Sequence, residues 1–257
     1  MSIKFAVRSE VGNIRRNNED NFYCNGIFMN ADEREKPFFM TGITECPCVF
    51  AVCDGMGGMD YGELASLTAV ETLAEYAKNF SQSSNEYYEV KNYVKAVNHK
   101  LISQKNRQNL MAGTTLALVN IVENSFTTYN LGDSRIYRTQ NGRLLRITDD
   151  HTVAEDKVRM GIMTPQQAQR SKEWHILTRC LGLSDNEFST MPDVNGAYPL
   201  EGRILICSDG ITDMLTYKDI SEIVLNTEDF AATANELVES ALNKGGYDNT
   251  TCIVIEN

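Results

Sequence analysis

Two short apolar runs in this chain end in the same way. The runs "CVFAVCDGMGG" (residues 48–58) and "GRILICSDGITD" (residues 202–213) each pass through a cysteine and then reach Asp-Gly. Apolar runs of this length are typical of strands that are buried on both faces. Aspartate is a poor strand residue, so an aspartate that closes such a strand needs an explanation. One explanation is a simple turn, which Asp-Gly often begins. The other is a functional carboxylate.

The same kind of junction recurs along the chain. Carboxylates lie beside strand-like runs at Glu19-Asp20, Asp54, Asp133, Asp209 and Asp248. Two carboxylates about 4 Å apart repel by about 4 kcal/mol at an effective dielectric constant of about 20. If these strand ends meet at one side of the sheets, bound cations are needed to hold them together. Oxygen ligands without histidine or cysteine favour Mg²⁺ or Mn²⁺ over zinc.

Hydrophobic periodicity predicts a mixture of strands and helices in one α+β domain with mainly antiparallel sheets. Helical spacing begins at Gly62 and recurs over about 86–107 and 229–244. Residues 113–148 alternate as a strand meander. Within the meander, Asn141-Gly142 is a strong signal for a two-residue hairpin turn.

Two stretches have weaker patterns. Residues 30–45 are expected to form a loop, since their sequence is less regular. Residues 150–185 are expected to be helical and polar, and Thr164-Pro165 is a suitable helix start.

Charge and cysteine content exclude several classes of protein. The 257 residues carry a formal net charge of −11, a field that repels nucleic acid and anionic membranes. No apolar segment approaches the roughly 20 residues of a membrane span, and the N-terminal residues lack the pattern of a signal peptide. The seven cysteines are an odd number, which favours free thiols in a reducing cytosol. We therefore expect a cytoplasmic protein with no nucleic-acid or membrane partner.

Seven sequence elements stand in a fixed order between Arg15 and Asp248. They are "EVGNIRRNNEDN", "VCDGMGG", "GTT", "LGDSR", "DDHT", "CSDGITD" and "YDNTT". In order and spacing this set resembles the metal-dependent protein phosphatases of the PP2C (PPM) family, in the bacterial branch. The resemblance implies one domain over residues 1–257, with two stacked antiparallel β-sheets flanked by helices in an αββα sandwich. It also implies a small flap subdomain at about residues 152–172, beside a metal-containing cleft.

The resemblance further implies two Mg²⁺ or Mn²⁺ ions, with room for a third. Carried over by position, the metal residues are Glu19, Asp54, Gly55, Asp133, Asp209 and Asp248. Asp54 is expected to bridge two ions, with the Gly55 carbonyl on one of them. Asp209 and Asp248 are expected to complete the pair of sites, and Glu19 to hold a metal-bound water.

The remaining site positions are also carried over from the family. Asp133 and Asp209 match the third-metal site of bacterial relatives, and Asp20 is the expected partner of a metal-bound water. Arg15 matches the arginine that binds the substrate phosphate, whereas Arg16 beside it is expected at the surface. The implied catalytic residues are Arg15, Asp54 and Asp209.

The implied reaction is hydrolysis of phosphoserine and phosphothreonine in proteins by attack of a metal-bound hydroxide on phosphorus. Many eukaryotic relatives carry a histidine after the first Asp-Gly, proposed as the general acid. Here that position is Met56, which has no proton to donate, so the donor to the leaving group stays open. His151 in "DDHT" is expected to order the region near Asp133.

Two alternatives share the fold. One is a catalytically inactive binding module, although such a module does not need Arg15, Asp54, Asp209 and Asp248 together. The other is a phosphatase dedicated to one regulatory phosphoserine protein. The expected partners are phosphorylated protein substrates and an opposing serine/threonine kinase, and the family precedent is a monomer.

Overall fold

Strands and helices alternate irregularly along the computed structural model, which describes residues 1–57, 61–83, 85–108, 112–182 and 190–257. Its strands are β1 (Ser2–Glu10), β2 (Asp20–Cys24), β3 (Phe38–Glu45), β4 (Cys48–Gly57), β5 (Ala112–Thr114), β6 (Leu116–Val122), β7 (Ser125–Leu131), β8 (Arg135–Gln140), β9 (Arg143–Arg146), β10 (Asp193–Pro199), β11 (Arg203–Cys207) and β12 (Thr250–Glu256). Its α-helices are α1 (Gly62–Gln82), α2 (Glu86–Gln108), α3 (Val153–Arg159), α4 (Pro165–Ala168), α5 (Asp209–Thr212), α6 (Tyr217–Asn226) and α7 (Phe230–Asn243).

The strands form two antiparallel sheets. The first sheet has the strand order β3-β1-β12-β11-β8-β9, and the second has the order β10-β7-β6-β4-β2, with β5 paired to β4. The first and last strands of the chain lie side by side, with Val7 opposite Ile253. Strands β6 and β7 pair directly along the chain, as do β8 and β9. These local pairings confirm the predicted meander.

Alternate residues of the central strands contact different layers. In β4, Phe50 belongs to the apolar cluster between the two sheets, whereas Cys53 packs towards α1 and α2. In β11, Ile206 lies between the sheets and Cys207 packs towards α6 and α7. A strand that is buried on both faces needs apolar residues at every position, which explains the uninterrupted runs. The predicted αββα sandwich is confirmed.

Helices cover the outer face of each sheet. Helices α1 and α2 pack on the sheet that contains β4, and the Tyr93 hydroxyl of α2 donates a hydrogen bond to Ala69 O of α1 at 3.2 Å. On the other sheet, Ile220 of α6 and Leu237 of α7 are buried in a third apolar cluster. The helices predicted from Gly62, at about 86–107 and at about 229–244 are all present.

The loop predicted over residues 30–45 is wrong for its second part, where β3 is the edge strand of the first sheet. Its side chains alternate between half-buried and exposed, so one face lies open to solvent. A Cβ atom at Gly42 would lie 2.5 Å from the Phe5 ring, so glycine is required there. An edge strand with one solvated face and a central glycine gives little apolar pattern, so periodicity did not identify it.

Residues 150–185 are less helical than predicted. They contain only the short helices α3 and α4, joined by turns, and residues 183–185 lie outside the described ranges. Helix α4 does begin at Thr164-Pro165, where the Gln167 N–H donates to Thr164 Oγ1 at 3.2 Å. Strand β10 and helix α6 were not predicted. Helix α6 begins at a capping box formed by Thr216 and Asp219.

The hairpin predicted at Asn141-Gly142 is confirmed. Gln140 of β8 lies opposite Arg143 of β9, and the two turn residues have φ angles of 50° and 70°. Both turn positions therefore adopt the left-handed conformation that this turn requires.

Two further features of the structure concern the cysteine side chains and the hydropathy of the helices. All seven cysteines carry free thiols, and six of them are buried. Among the helices described, none is both long enough and apolar enough to cross a membrane.

Replacing Phe50 with alanine tests the core between the sheets. Phe50 is fully buried and packs edge-on against Phe5 at 5.3 Å between ring centroids. Phe50→Ala is expected to lower the free energy of unfolding by about 3–5 kcal/mol, measured by chemical denaturation. The matched control is Phe39→Ala on β3, whose side chain is 47% exposed and should cost about 1 kcal/mol or less. Equal losses in the two variants would contradict this assignment of the core.

Candidate metal centre and active-site cleft

A cleft of about 1400 Å³ opens at the edge where β4 and β11 end. Most of the residues predicted for the site line it together: Arg15, Glu19, Asp54, Gly55, Asp133, Asp209 and Asp248. Asp20 does not line the cleft, and its side chain is buried beneath it. The structure thus brings together side chains that lie up to 233 positions apart in the sequence.

The first Asp-Gly is fixed by hydrogen bonds to the neighbouring strands. The Asp54 N–H donates to Thr115 Oγ1 at 2.9 Å, and the Asp54 carbonyl accepts from the Thr115 N–H at 2.9 Å. The Thr114 hydroxyl donates to the same carbonyl at 3.0 Å. Because both backbone groups of Asp54 are held, its carboxylate extends from a rigid part of β4, which continues to Gly57.

Glycine follows Asp54 because the backbone of other segments lies too close for a side chain. The Gly55 N–H donates to Glu19 O at 3.1 Å. A Cβ atom at Gly55 would lie 2.1 Å from Gly62 O and 2.5 Å from Glu19 O. The close packing of Gly55 and Gly62 places Glu19 next to the start of α1.

The second Asp-Gly has the same requirement. A Cβ atom at Gly210 would lie 1.9 Å from Asn249 O, so this position also needs glycine. The Asn249 side chain accepts from the Glu19 N–H at 2.8 Å and donates to Val11 O and Asn17 O. Asn249, directly after Asp248, therefore links its own segment to the connection between β1 and β2.

A row of buried polar side chains, which we call the polar seam, joins the two sheets below the cleft. The Ser208 hydroxyl of the first sheet donates to Asp20 Oδ2 of the second sheet at 2.7 Å. Ser208 Oγ also accepts from the Thr251 N–H at 3.0 Å, and Thr251 Oγ1 lies 2.6 Å from Ser9 Oγ. Asn18 donates to Ser9 at 2.8 Å. Asp20 is thus a buried link between the sheets.

The carboxylates of the site are buried close to one another. Burial raises the pKa of Asp54 and Asp133 well above the ordinary value, and the charge of Asp209 adds to both shifts. Burial and Asp209 also raise the pKa of Asp248. Burial raises the pKa of Asp20 to about 7, although hydrogen bonds oppose the shift. Asp209 is the neighbour that all these carboxylates share. A set of oxygen donors of this kind fits Mg²⁺ or Mn²⁺.

Arg15 is a cation on the wall of the cleft, and it contacts a predicted metal ligand. Its Nη2 donates to Asp248 Oδ2 at 2.6 Å, while its side chain remains 48% exposed. The neighbouring Arg16 is exposed and does not line the cleft, as predicted. The guanidinium therefore has donors directed at the acidic group and others open to the cleft.

Two further residues of the cleft were not predicted. His175 Nδ1 lies 3.8 Å from Asp209 Oδ2 and 3.6 Å from Asp213 Oδ2. Contact with Asp209 and the charge of Asp213 raise the pKa of His175 to about 9, while burial and Asp209 raise that of Asp213 to about 6. His175 lies in a turn-rich segment that reaches the cleft only in the folded chain, so no sequence motif identifies it. Asp213 lies one helical turn after Asp209, which is the signal that could have identified it.

The other residues singled out from the sequence have clear positions. Met56 lines the cleft, where its thioether offers no proton. Trp174 lines the cleft as well, and its Nε1 donates to Asp213 Oδ1 at 3.2 Å. His151 is buried, and its Nδ1 accepts from the Gly132 N–H at 3.1 Å, directly before Asp133. This contact supports the predicted structural role of His151.

Comparison with known proteins gives consistent matches. The chain matches the family model for protein phosphatase 2C over residues 38–245. The serine/threonine phosphatase stp of Listeria monocytogenes is 28% identical over 255 residues, covering 97% of this chain and 94% of that protein. The crystal structure of the Mycobacterium tuberculosis serine/threonine phosphatase PstP/Ppp aligns with a TM-score of 0.84 at 29% identity, covering 100% of this chain and 99% of that one.

A second solved structure is similar over the same extent. The catalytic domain of the serine/threonine protein phosphatase PstP, in complex with two manganese ions, aligns with a TM-score of 0.81 at 29% identity. It covers 100% of this chain, and 99% of that chain is matched. Since the family match spans most of the sequence and the two sheets and acidic cleft agree with it, the chain belongs to the protein phosphatase 2C family.

Proposed function

We propose that this protein is a metal-dependent protein phosphatase that hydrolyses phosphoserine and phosphothreonine. The observation that carries the proposal is the acidic cleft around Asp209, where Arg15 reaches the same group of carboxylates. The relatives named as serine/threonine phosphatases support the choice of substrate. Neither the inactive binding module nor the dedicated regulator is favoured by these relatives.

Mg²⁺ or Mn²⁺ ions are proposed to bind at the oxygen donors of the cleft. The ligands would be the Asp54, Asp209 and Asp248 carboxylates and the Gly55 carbonyl, with Glu19 beside them. Asp133 and Asp209 would hold a third ion. The manganese ions of the similar PstP structure support this assignment. When bound, such ions lower the pKa of water and supply a nucleophile at neutral pH.

The chain's own residues position the substrate. Arg15 contacts Asp248 through Nη2, and its remaining N–H donors can bind two oxygens of one phosphate group. Its half-exposed position lets a phosphorylated side chain enter from solvent. Asp20 and the polar seam hold the strand ends in place from below.

The finer parts of the proposal concern access and cellular context. We propose that residues 152–172 act as a flap over the cleft, since Glu155, Val158, Pro165 and Gln169 line one of its walls. The protein is proposed to work in the cytoplasm as a monomer, against a serine/threonine kinase. Its buried free thiols support a reducing compartment.

Replacing Asp209 with asparagine tests the function. Asp209→Asn keeps the side-chain shape but removes the charge shared by the site, so metal-dependent hydrolysis of p-nitrophenyl phosphate and of a phosphothreonine peptide should fall by about 100-fold or more. Wild-type activity should need Mn²⁺ or Mg²⁺ and disappear with a chelator. The matched control is the exposed Asp32→Asn, which should behave as wild type. Undiminished turnover in Asp209→Asn would exclude this centre.

Replacing Arg15 with alanine tests the phosphate contact. Arg15→Ala should mainly raise KM for the phosphopeptide, by about 10-fold or more, because a charge-assisted contact to substrate is lost. Arg16→Ala, one residue away and outside the cleft, provides the control and should leave KM unchanged. If both variants shift KM equally, Arg15 has no specific role.

The raised pKa values predict how metal and pH affect stability. Asp20 and Asp213, with pKa values of about 7 and about 6, keep protons in the folded chain that the unfolded chain has released. Between pH 4 and 7 the folded state therefore binds more protons, so stability falls as pH rises. Without divalent ions, we expect the free energy of unfolding to drop by about 2 kcal/mol or more from pH 5 to pH 7.5. Saturating Mn²⁺ should remove most of this slope in denaturation curves, and a metal-free protein that becomes more stable over this range would contradict the analysis.

A further inference from the structure

A second cavity lies between the C-terminal half of α1 and the sheet that contains β4. Its volume of about 350 Å³ is within the range of small-molecule sites. Ala77 of α1, Val49 of β4 and Asn120 of β6 line it. Among the described residues, it shares no lining residue with the acidic cleft. Gly62 at the start of α1 packs against Gly55 of the cleft, whereas Ala77 lies about 22 Å further along the helix axis.

The side chain of Asn120 is an unpaired amide in the wall of this cavity. Asn120 is 1% exposed, and neither its Nδ2 nor its Oδ1 forms a hydrogen bond within the described part of the chain. Leu116 and Leu118 of the same strand pack with α1 and α2, whereas Val119 packs between the sheets. Because side chains alternate along a strand, Asn120 points to the helix side, where the cavity lies. A buried amide without partners is costly, so a bound donor and acceptor would stabilise it.

We propose that this cavity binds a small molecule whose edge carries an adjacent hydrogen-bond donor and acceptor, as in a primary carboxamide or an aminopurine. A side-chain amide is complementary to such an edge, since its N–H₂ group donates while its carbonyl accepts. Val49 and Ala77 supply apolar walls and Tyr23 an aromatic one, which suits a compact and largely apolar molecule. Binding at this site is independent of the proposed phosphatase function.

The charges around the cavity exclude a metal ion and disfavour a cationic ligand. Among the described residues that line it, Lys78 is the charged one, and none is acidic. The Lys78 side chain is exposed, so an anionic group on the ligand would remain in solvent near a positive charge. The ligand is therefore neutral or anionic.

The rim of the cavity is fixed by hydrogen bonds. The turn Asn25-Gly26 after β2 has φ angles of 46° and 105°, and a Cβ atom at Gly26 would meet nothing within 4 Å. The Asn25 N–H donates to Val49 O at 2.9 Å, and its Nδ2 donates to Thr44 Oγ1 at 2.7 Å. On the helix side, the short side chain of Ala74 leaves the space unfilled. The cavity is thus formed before a ligand binds, which lowers the cost of binding.

Ligand-observed NMR of the full chain tests the site with two probes. Nicotinamide represents the carboxamide and adenosine represents the aminopurine, while nicotinic acid and purine riboside are the matched analogues without the N–H₂ group. We expect at least one probe to bind with a Kd of about 1 mM or tighter, and its analogue to bind about tenfold more weakly or worse. The probe that binds identifies the source of the edge.

Two variants test whether binding occurs in this cavity. Asn120→Leu removes the amide and Ala74→Leu fills the space, so each should weaken binding by about tenfold or more. Thermal unfolding verifies that both variants are folded, and Asn120→Leu should melt no lower than the wild type, because an unpaired buried amide is removed. The matched control is Asn79→Leu, an exposed position on α1 that does not line the cavity, which should bind as the wild type does.

Two results would overturn the proposal outright. One is the failure of both probes to bind at about 10 mM, and the other is equal affinity in the wild type and Asn120→Leu. In ¹H–¹⁵N spectra, the Asn120 side-chain N–H₂ signals are identified by their absence in Asn120→Leu. They should shift on titration while the Asn79 signals do not. Unmoved Asn120 signals with a bound probe would place the probe elsewhere and contradict the proposal.

Discussion

Repulsion among carboxylates at one edge of the two sheets is the constraint around which this structure is organised. Asp209 lies within electrostatic reach of Asp20, Asp54, Asp133 and Asp248. Among the described arginine and lysine side chains, Arg15 forms an ion pair with one of these carboxylates, Asp248. Several acidic groups held this close need either protons or cations. The fold therefore maintains an arrangement that bound metal ions stabilise.

The surrounding protein holds this arrangement with hydrogen bonds and close backbone packing. The polar seam, through Ser208 and Asp20, ties the two sheets together directly beneath the cleft. Glycines at 55 and 210 let backbone segments approach to distances that no side chain would permit. Asn249 then connects the segment before β2 with the segment that carries Asp248. These backbone contacts give the carboxylates fixed positions without neutralising their charge, so the affinity for cations is preserved.

Sequence patterns predicted the sheets and the acidic edge because each depends on local spacing. Runs buried on both faces identified β4 and β11, and the Asp-Gly that follows each run identified two positions in the cleft, one within β4 and one after β11. Strand β3 was missed, since its solvated face and its glycine weaken the pattern. His175 was missed for a different reason. Its approach to Asp209 depends on how a turn-rich segment of over 20 residues folds back, and no local signal encodes that path.

Some residues of the cleft are identified by local spacing and others are placed there only by the folded chain. The position of Met56 shows why this difference matters for the chemistry. Sequence established that no histidine follows the first Asp-Gly, and the fold places Met56 on the wall of the cleft. The same cleft contains His175, which comes from the segment after α4. The imidazole therefore stands next to Asp209 and Asp213 rather than beside Asp54. Contact with Asp209 and the charge of Asp213 raise the pKa of this imidazole to about 9, so it can hold a proton at neutral pH inside the cleft.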